Sequence, residues 1–593
     1  MPKIPFSELT LRKQNRHKRR NFNTMEHTGL DTETYKGKAI LICDDSGRFV
    51  NLTSFDDVIS FLTHSRFRYK FNWFFNIRFD FEALIKHLDR EKIVSLYHDK
   101  KLDYGKYVVK YLPSKFLSIS DGNNAHIFYD LNNFLETSLD KASKTYLNNQ
   151  KISSIDAKRL NVDKDYWKEN YPQIVEYCIH DAYLTRELAV YFWNLIDKHL
   201  QFIPRKPYSK GSYSQEYFLH NCYIPTIDEI PLKVLEIAYN SYSGGRFELL
   251  QRGYFDKAFS YDIKSAYPYH MTNLVDYTKG EWFKTKEFDD NAIGGFYKVK
   301  VKFFHEVFSP FMMKLSTLNT YPNGTFTQYL THNEMLFILN NFKEVEIDIL
   351  EGYSFREYDI QYPLRDKIIN LYHWKEREED KDIRYVVKIV LNSLYGKFIQ
   401  TAGNKSGKLF NPLWAAEITA NTRIQLLEHA LKIPKSIIGF STDAIHTTKE
   451  LPHNPKRKDL LGDFSLDFSG KGIFIMSDIY TLWDGDNIKN KFRGFRQPKK
   501  DKKEDELSVY DIIKLLSDNG DGVIYKYYTL RPIHLGEIIY HTKKKTIADL
   551  NVWQKQQKKL NLNGDLKRLW DNNFEHASEF LTENTKSSPL LLI

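Results

Sequence analysis

Cysteine is nearly missing: among 593 residues there are three, Cys43, Cys178 and Cys222. They lie far apart, without the paired spacing of a zinc site or the density of a disulfide-stapled scaffold, which fits a reducing compartment. No apolar run is long enough to cross a bilayer, and the polar, basic N-terminus has no hydrophobic stretch of secretory length. The expectation is a soluble, cytoplasmic protein with no membrane partner. Internal repeats and low-complexity tracts are missing too, which excludes solenoids and arrays.

Aromatic residues are abundant, with 39 Tyr and 41 Phe. Most must be core, leaving a minority to stack on bases. Lys and Arg outnumber Asp and Glu by 86 to 76, a mildly basic balance that suits a polyanion without demanding one. Residues 1–25 contain the cationic run from Arg12 to Arg20 and read as a basic arm that contacts phosphates, or else as a solvated tail. From His27 to about Pro204, short strand-like runs alternate with helical ones. Residues 274–362 are rich in β-formers and read as an inserted subdomain. A charged helical hairpin follows, from about Arg365 to Phe398. The polar linker Pro498 to Lys503 leads into a smaller basic C-terminal unit.

Acidic residues form two constellations. In the first, Asp31 and Glu33 sit two apart in a strand-like run and so project to one face. Asn76, Phe79 and Asp80 follow the aromatic run Phe71 to Phe75. Tyr177 and Asp181, four apart, share a helix face. Carboxylates brought close repel unless a cation lies between them. Four acids and a tyrosine suffice for two metals about 3.5–4 Å apart that activate a water against a phosphodiester. A lone D-x-E is more often a surface pair, but three such elements in this order outweigh that reading.

In the second constellation, Asp262 lies where a strand runs out before Tyr267 and Pro268. Asp443 lies near the tip of the hairpin Ile437 to His446. Between them, Arg377, Lys381, Arg384, Lys388, Asn392 and Tyr395 fall at spacings of three and four, forming one polar helical stripe. A cationic stripe ending in an aromatic suits a triphosphate below and a base or sugar above.

These elements resemble family B DNA polymerases. The first set matches that family's exonuclease motifs D-x-E, N-x2-F-D and Y-x3-D without departure. The second resembles polymerase motifs A, B and C, and Tyr242, Ser243, Gly244 and Gly245 resemble the Y-x-G-G element. The resemblance spans about Leu30 to Gln497. It implies a multidomain α/β and α+β chain. A ribonuclease-H-like 3′→5′ exonuclease domain (26–203) would precede a right-hand polymerase, with palm at 204–273 and 401–500, fingers at 363–400 and a thumb region at 501–593.

The resemblance also implies roles. Asp31, Glu33, Asp80 and Asp181 would hold one pair of Mg²⁺ ions, with Tyr177 orienting water and Lys141 or Lys144 adding a cation. Asp262, Asp443 and the Ile263 carbonyl would hold a second pair; Mn²⁺ could substitute. Arg384 and Lys388 would grip the triphosphate, with Lys375 or Lys381 as weaker candidates. Tyr267 would exclude a 2′-hydroxyl, while Asn392 and Tyr395 pack on the nascent base pair. Asn76, Phe79, Tyr242, Gly244, Gly245 and Lys491 would touch DNA. Implied partners are template-primer, deoxynucleoside triphosphates and a terminal protein primer, with the chain acting as a monomer.

The sequence departs from the family at Ser441, where motif C usually begins with Asp, at Ala444 and at Ala266. The family's K-x-Y element lacks its lysine around Asp478, Ile479 and Tyr480. The insertion at 274–362 is similar to that of protein-primed phage and linear-plasmid polymerases, which suggests replication of a viral or plasmid genome. The short connector Lys397 to Asn411 leaves little of their second insertion, so strand displacement and processivity are in doubt. The alternatives are an RNA- or DNA-primed family B polymerase, a nuclease with a decayed polymerase half, or a non-catalytic binding protein.

Overall fold

Phe71, Asn72, Trp73 and Phe74 offer no polar face apart from one amide, so this stretch must lie inside a sheet covered on both sides. The computed structural model describes residues 4–14, 26–316, 318–452, 460–495, 497, 506–520, 522–540 and 545–592, and places this run at the centre of the first sheet. The strands are β1 (His27–Tyr35), β2 (Lys38–Asp44), β3 (Phe49–Asn51), β4 (Phe71–Phe74), β5 (Lys101–Tyr104), β6 (Tyr107–Leu112), β7 (Phe116–Ser120) and β8 (Ala125–Asp130). Their order is β3-β2-β1-β4-β8-β7-β6-β5. β3, β2 and β1 run antiparallel, and β1, β4 and β8 run parallel. This is the ribonuclease-H-like arrangement expected.

The 30-residue helix Tyr171–Leu200 crosses this sheet. A Cβ on Gly29 of β1 would lie 1.9 Å from the Ala182 carbonyl, so only glycine lets helix and strand come this close. On the same side Trp73 stacks on Trp193, with ring centroids 5.9 Å apart.

The second sheet contains β9 (Arg246–Leu249), β10 (Gln251–Ile263), β19 (Ile437–Thr442), β20 (Ala444–Thr447), β21 (Phe464–Met476), β22 (Ile479–Asp484) and β23 (Asn487–Phe492), ordered β23-β22-β21-β10-β20-β19-β9. Residues 274–362 supply β11 (Glu281–Thr285), β12 (Gly294–Phe303), β13 (Met313–Leu315), β14 (Leu318–Thr320), β15 (Asn323–Thr331) and β16 (Glu346–Arg356). Four of these form a third sheet, ordered β11-β16-β12-β15. Tyr297, Val299 and Phe326 of that sheet share one buried cluster with Tyr261, Ile263 and Ile445 of the second.

The connector after Lys397 is reduced to the two-residue strands β17 (Thr401–Ala402) and β18 (Lys405–Ser406). Thr10 bridges to Lys405, and Gln14 donates to the Phe410 carbonyl (2.6 Å) and accepts from the Ile227 amide (3.2 Å). Residues 4–14 are therefore docked as a strap on the body of the chain. The cations from Arg16 to Arg20, and the linker Pro498 to Lys503, lie outside the described residues.

The C-terminal stretch reaches several bodies. The ribbon β24 (Ile524–Pro532) with β25 (Trp553–Asn561) stands apart as its own sheet. Ile533, Leu535, Ile538 and Leu550 enter the core of the first sheet. β26 (Arg568–Trp570) pairs with β27 (Asn584–Pro589), and β27 with β10. β28 (Leu591–Leu592) extends the third sheet beside β15.

A buried ion network joins three of these parts. Arg246 and Arg568 both pair with Glu248, and all three side chains are at most 1% exposed. Arg246 also donates to the Ser309 carbonyl (2.9 Å), and Arg568 to those of Val307 (2.6 Å) and Ser587 (2.9 Å). Removing one partner from such a network leaves a buried charge short of compensation. Arg568→Ala is expected to lower stability by about 3–5 kcal/mol, and Arg568→Met by less. An unchanged urea-unfolding midpoint for Arg568→Ala would contradict this role.

Candidate active sites

β1 carries Asp31 and Glu33 toward the Tyr171–Leu200 helix, which carries Tyr177 and Asp181 on one face. Ligand atoms of Asp31, Glu33 and Cys178 lie within 4.8 Å of one another. Asp80, in the helix Ile77–Leu84, accepts from the Thr32 hydroxyl (2.7 Å). Burial raises all four carboxyls, and neighbouring acids add to it for Asp31, Glu33 and, through Asp130, Asp80: Asp31 rises well above its ordinary value, Glu33 to about 8, Asp80 to about 7, and Asp181 rises as well. For Asp31 the repelling neighbours are Asp181, Glu33 and Asp80. Asp181 Oδ1 is buried with no hydrogen-bond partner. An orphaned carboxylate oxygen among other acids is what a hard cation would complete.

The cation in this cluster is Lys151. Its ammonium pairs with Asp181 and lies 4.9 Å from the centre of the Tyr177 ring. Burial pulls its pKa down, but the negative field of Asp181, Tyr177 and Asp31 outweighs that and holds the group charged. Lys144 instead pairs with Asp140 at the surface (2.7 Å), and Lys141 is exposed, so the expectation of either as the added cation is corrected. Lys151 follows Asn148, Asn149 and Gln150, a polar stretch with no periodicity to mark it. Asp130, at the end of β8, was also missed: it is buried, pushed to about 6 by burial, and accepts from the Asn76 amide (2.9 Å). Asn76 itself has φ 74° and an exposed side chain that makes no capping bond. Phe79 is half-buried beside it.

In the second sheet, Asp262 lies opposite Ala444 in the β10–β20 register. The Ile263 amide donates to the Asp443 carbonyl at 2.9 Å, fixing the tip of the β19–β20 hairpin against the end of β10. The tip turns at Thr442, whose φ of 60° is rare for a β-branched residue. Burial, then Asp443 and Asp467, push Asp262 up to about 7, against the opposing field of Lys489 and Lys491. Burial raises Asp443 too. Asp467 alternates with Ser465 on β21, a strand pattern that would have placed it on the face near Asp262. Ser441, at the motif C departure, hydrogen-bonds His446 (3.1 Å).

The Tyr267 and Tyr395 rings pack tilted, with centroids 4.4 Å apart, and the Tyr242 and Tyr395 hydroxyls meet at 2.9 Å. Gly245 is packed so closely that a Cβ there would lie 2.7 Å from Thr442 Cγ2 and 3.2 Å from the Tyr267 hydroxyl. Three tyrosines from three separate segments thus form one cluster beside Asp443.

The helical stripe is broken. Asp380 caps a new helix, Lys381–Ser393, by accepting from the amides of Asp382 (2.8 Å) and Ile383 (3.1 Å). Arg377 therefore ends the preceding helix, Arg365–Arg377, and Tyr395 opens a 3₁₀ turn. Lys381, Arg384, Lys388 and Asn392 remain exposed on one face. The Arg384 guanidinium is turned back onto the Glu378 carbonyl (2.9 Å). Lys375 reaches the motif A turn, donating to Ser265 Oγ at 3.1 Å. Lys491 is exposed on β23, opposite Tyr480.

The profile of the family described as DNA polymerase type B, organellar and viral, matches residues 155–421. A DNA polymerase of Acidianus bottle-shaped virus is 26% identical over 360 residues, 57% of this chain and 52% of that protein. A probable DNA polymerase of Neurospora intermedia is 27% identical over 245 residues, 38% of this chain and 24% of that protein. Among solved structures, phi29 DNA polymerase with single-stranded DNA superposes with a TM-score of 0.63, and its complex with primer-template DNA and incoming nucleotide with 0.64. Both share 14% identity with this chain, over 91% of it and all of the phi29 chain.

Residues 155–421 thus resemble the type B DNA polymerases, organellar and viral, and the chain shares the phi29 polymerase fold. The phi29 likeness shows a shared fold, while the chain spans about half of the viral relative and a quarter of the fungal one. Within this fold, Asp31, Glu33, Asp80 and Asp181 converge at one centre, and Asp262 and Asp443 with the loop Tyr242–Gly245 at the other. No helix among the described residues is long and apolar enough to cross a membrane.

The buried acids make stability depend on pH in a definite direction. A carboxyl whose pKa is higher folded than unfolded holds more protons in the folded state between the two values, so stability falls as pH rises through that window. For Glu33 the window runs from 4.5 to about 8. In chelator, the melting temperature is expected to fall between pH 5 and pH 8. Glu33→Gln should flatten that fall and add at least about 1 kcal/mol at pH 8. Equal pH slopes for the two proteins in scanning fluorimetry would contradict the burial of this carboxylate.

Proposed function

We propose that the chain is a DNA-directed DNA polymerase with a 3′→5′ proofreading exonuclease, working on template-primer DNA and deoxynucleoside triphosphates. The observation that carries this reading is the pairing of Asp262 with Asp443 beside a cluster of three tyrosines, in a chain that gathers Asp31, Glu33, Asp80 and Asp181 elsewhere. Both acid sets fit two divalent cations, Mg²⁺ with Mn²⁺ as substitute, because burial and mutual repulsion leave them in need of positive charge. Bound there, such cations lower the pKa of the attacking hydroxyl or water and neutralise charge on the phosphate.

The chain's own residues do the rest. At the palm, Asp262, Asp443 and the Ile263 carbonyl form the cradle, while Lys388, Arg384 and Lys375 meet the triphosphate. Arg384 must leave the Glu378 carbonyl to do so. Tyr267, held by Tyr395 and by the close approach of Gly245, stands where a sugar 2′-hydroxyl would clash. Asn392 and Tyr395 flank the base pair, and Lys491 meets the primer backbone. At the nuclease centre, Tyr177 and Lys151 stand beside Asp181, placed to orient a water and to offset charge on the scissile phosphate. Asn76 and Phe79 hold the frayed 3′ end.

Protein priming is part of the proposal. The insertion at 274–362 builds a sheet of its own on the palm, a platform for a terminal protein primer. The small β17–β18 hairpin leaves little to encircle DNA, so limited processivity and a need for help in strand displacement belong to the same reading.

Two substitutions test the division of labour. Asp443→Ala is expected to reduce primer extension to background while single-stranded DNA is still degraded from its 3′ end. Asp31→Ala is expected to do the reverse. Failure of the unmodified chain to add nucleotides with either Mg²⁺ or Mn²⁺ would overturn the polymerase assignment. Loss of both activities in each folded variant would overturn the separation of the two centres.

A further inference from the structure

One buried cation is used by neither centre. Arg423, in the helix Pro412–Ala430, is 3% exposed. Its guanidinium donates to the Ser243 carbonyl (3.1 Å), the Gly244 carbonyl (2.7 Å) and the Glu334 carboxylate (2.7 Å). Ser243 and Gly244 are the middle of the Y-x-G-G loop. Glu334 belongs to the insertion. Its other oxygen accepts from the Thr331 amide (3.1 Å) and hydroxyl (3.2 Å), closing the capping box that starts the helix His332–Asn341. One guanidinium therefore spans three elements, with its planar fork divided between two backbone carbonyls and one acid.

The loop it holds belongs to the tyrosine cluster. Tyr242 at its start bonds Tyr395, and Gly245 lies against Tyr267 and Thr442, the residue before Asp443. The strand that follows is held from the insertion as well: the Phe247 amide donates to the Tyr321 hydroxyl at 3.0 Å, and Arg246 reaches the Ser309 carbonyl at 2.9 Å. Three contacts from residues 309–334 thus act on residues 243–247, and Arg423 is the relay for the one nearest the cluster.

We propose that Arg423 is a positioning residue that sets the Y-x-G-G loop, and that Glu334 makes the geometry of the nucleotide pocket depend on the inserted subdomain. The capping helix of the insertion, the palm helix and the pocket wall then form one mechanical unit. A partner bound on the insertion near Thr331 to Glu334 would change how the pocket takes a nucleotide without touching it. This deepens the polymerase reading and, for its effect on nucleotide use, rests on it.

The test uses the full chain and two independent readouts. Arg423→Gln loses the ionic pair and two of the carbonyl bonds. Glu334→Gln keeps an acceptor for the Thr331 cap but removes the charge facing Arg423, so it stays informative should the first variant fold poorly. Arg423→Lys, a point charge without the fork, is the conservative control. By hydrogen exchange, the peptide covering 242–247 is expected to exchange about tenfold faster in Arg423→Gln, and measurably faster in Glu334→Gln, with β10 unchanged. In primer extension, the KM for incoming nucleotide is expected to rise about tenfold in Arg423→Gln while kcat changes little. Arg423→Lys should restore part of that loss, and degradation of single-stranded DNA should be unaffected. Unchanged exchange in 242–247 for both Gln variants, or an unchanged KM in a folded Arg423→Gln, overturns the proposal. Should the unmodified chain add no nucleotides, it is the polymerase reading that fails, and hydrogen exchange still decides what Arg423 holds.

Discussion

Carboxylates taken out of water and set against one another are costly, because each loses its hydration and gains a repelling neighbour at once. This chain accepts that cost twice, and much of its architecture serves to impose it. Gly29 lets a 30-residue helix lie on β1 closely enough that Asp181 faces Asp31 and Glu33. The Ile263–Asp443 backbone bond pins a hairpin tip to a strand end, so that Asp262 and Asp443 cannot separate. The surrounding cations offset the repulsion only in part: Lys151 answers Asp181, and Lys489 and Lys491 act on Asp262. What remains is an unmet demand for positive charge at two centres.

The acids themselves were legible in the sequence because their signals are local. D-x-E in a strand, Y-x3-D on a helix and an Asp before a turn each report side-chain direction without reference to distant chain. Lys151 was not legible, since it enters the centre of Asp31, Glu33 and Asp181 from an irregular polar stretch and only tertiary contact selects it over Lys141 and Lys144. The continuous helical stripe failed for a different reason. Asp380 offers its carboxylate to two amides and starts a second helix, and a cap competes with periodicity without disturbing the spacing of the charges. The strap of residues 4–14, the dispersal of the C-terminal strands and the Arg246–Glu248–Arg568 network all join residues hundreds of positions apart, and composition records none of them.

The departure at Ser441 has a physical context of its own. A hydroxyl at that position bonds His446 within the hairpin, where an acid would have added a further negative charge to a cluster that already contains Asp262, Asp443 and Asp467. The hairpin tip is therefore supported by a neutral pair, and the direct cradle of Asp262 and Asp443 is left intact. The inserted subdomain is likewise no loose appendage. Its sheet shares a core with the second sheet, its helix cap is tied through Arg423 to the Ser243 and Gly244 carbonyls, and the last strand of the chain completes its edge.

The central claim is that both acid clusters exist to hold divalent cations. Crystals of the chain equilibrated with Mn²⁺ and measured for its anomalous scattering test this most directly. The account predicts anomalous peaks within coordination distance of Asp31, Glu33, Asp80 and Asp181, and separately of Asp262 and Asp443. Peaks confined to other surfaces, or none at either cluster with the carboxylates still in place, would contradict it.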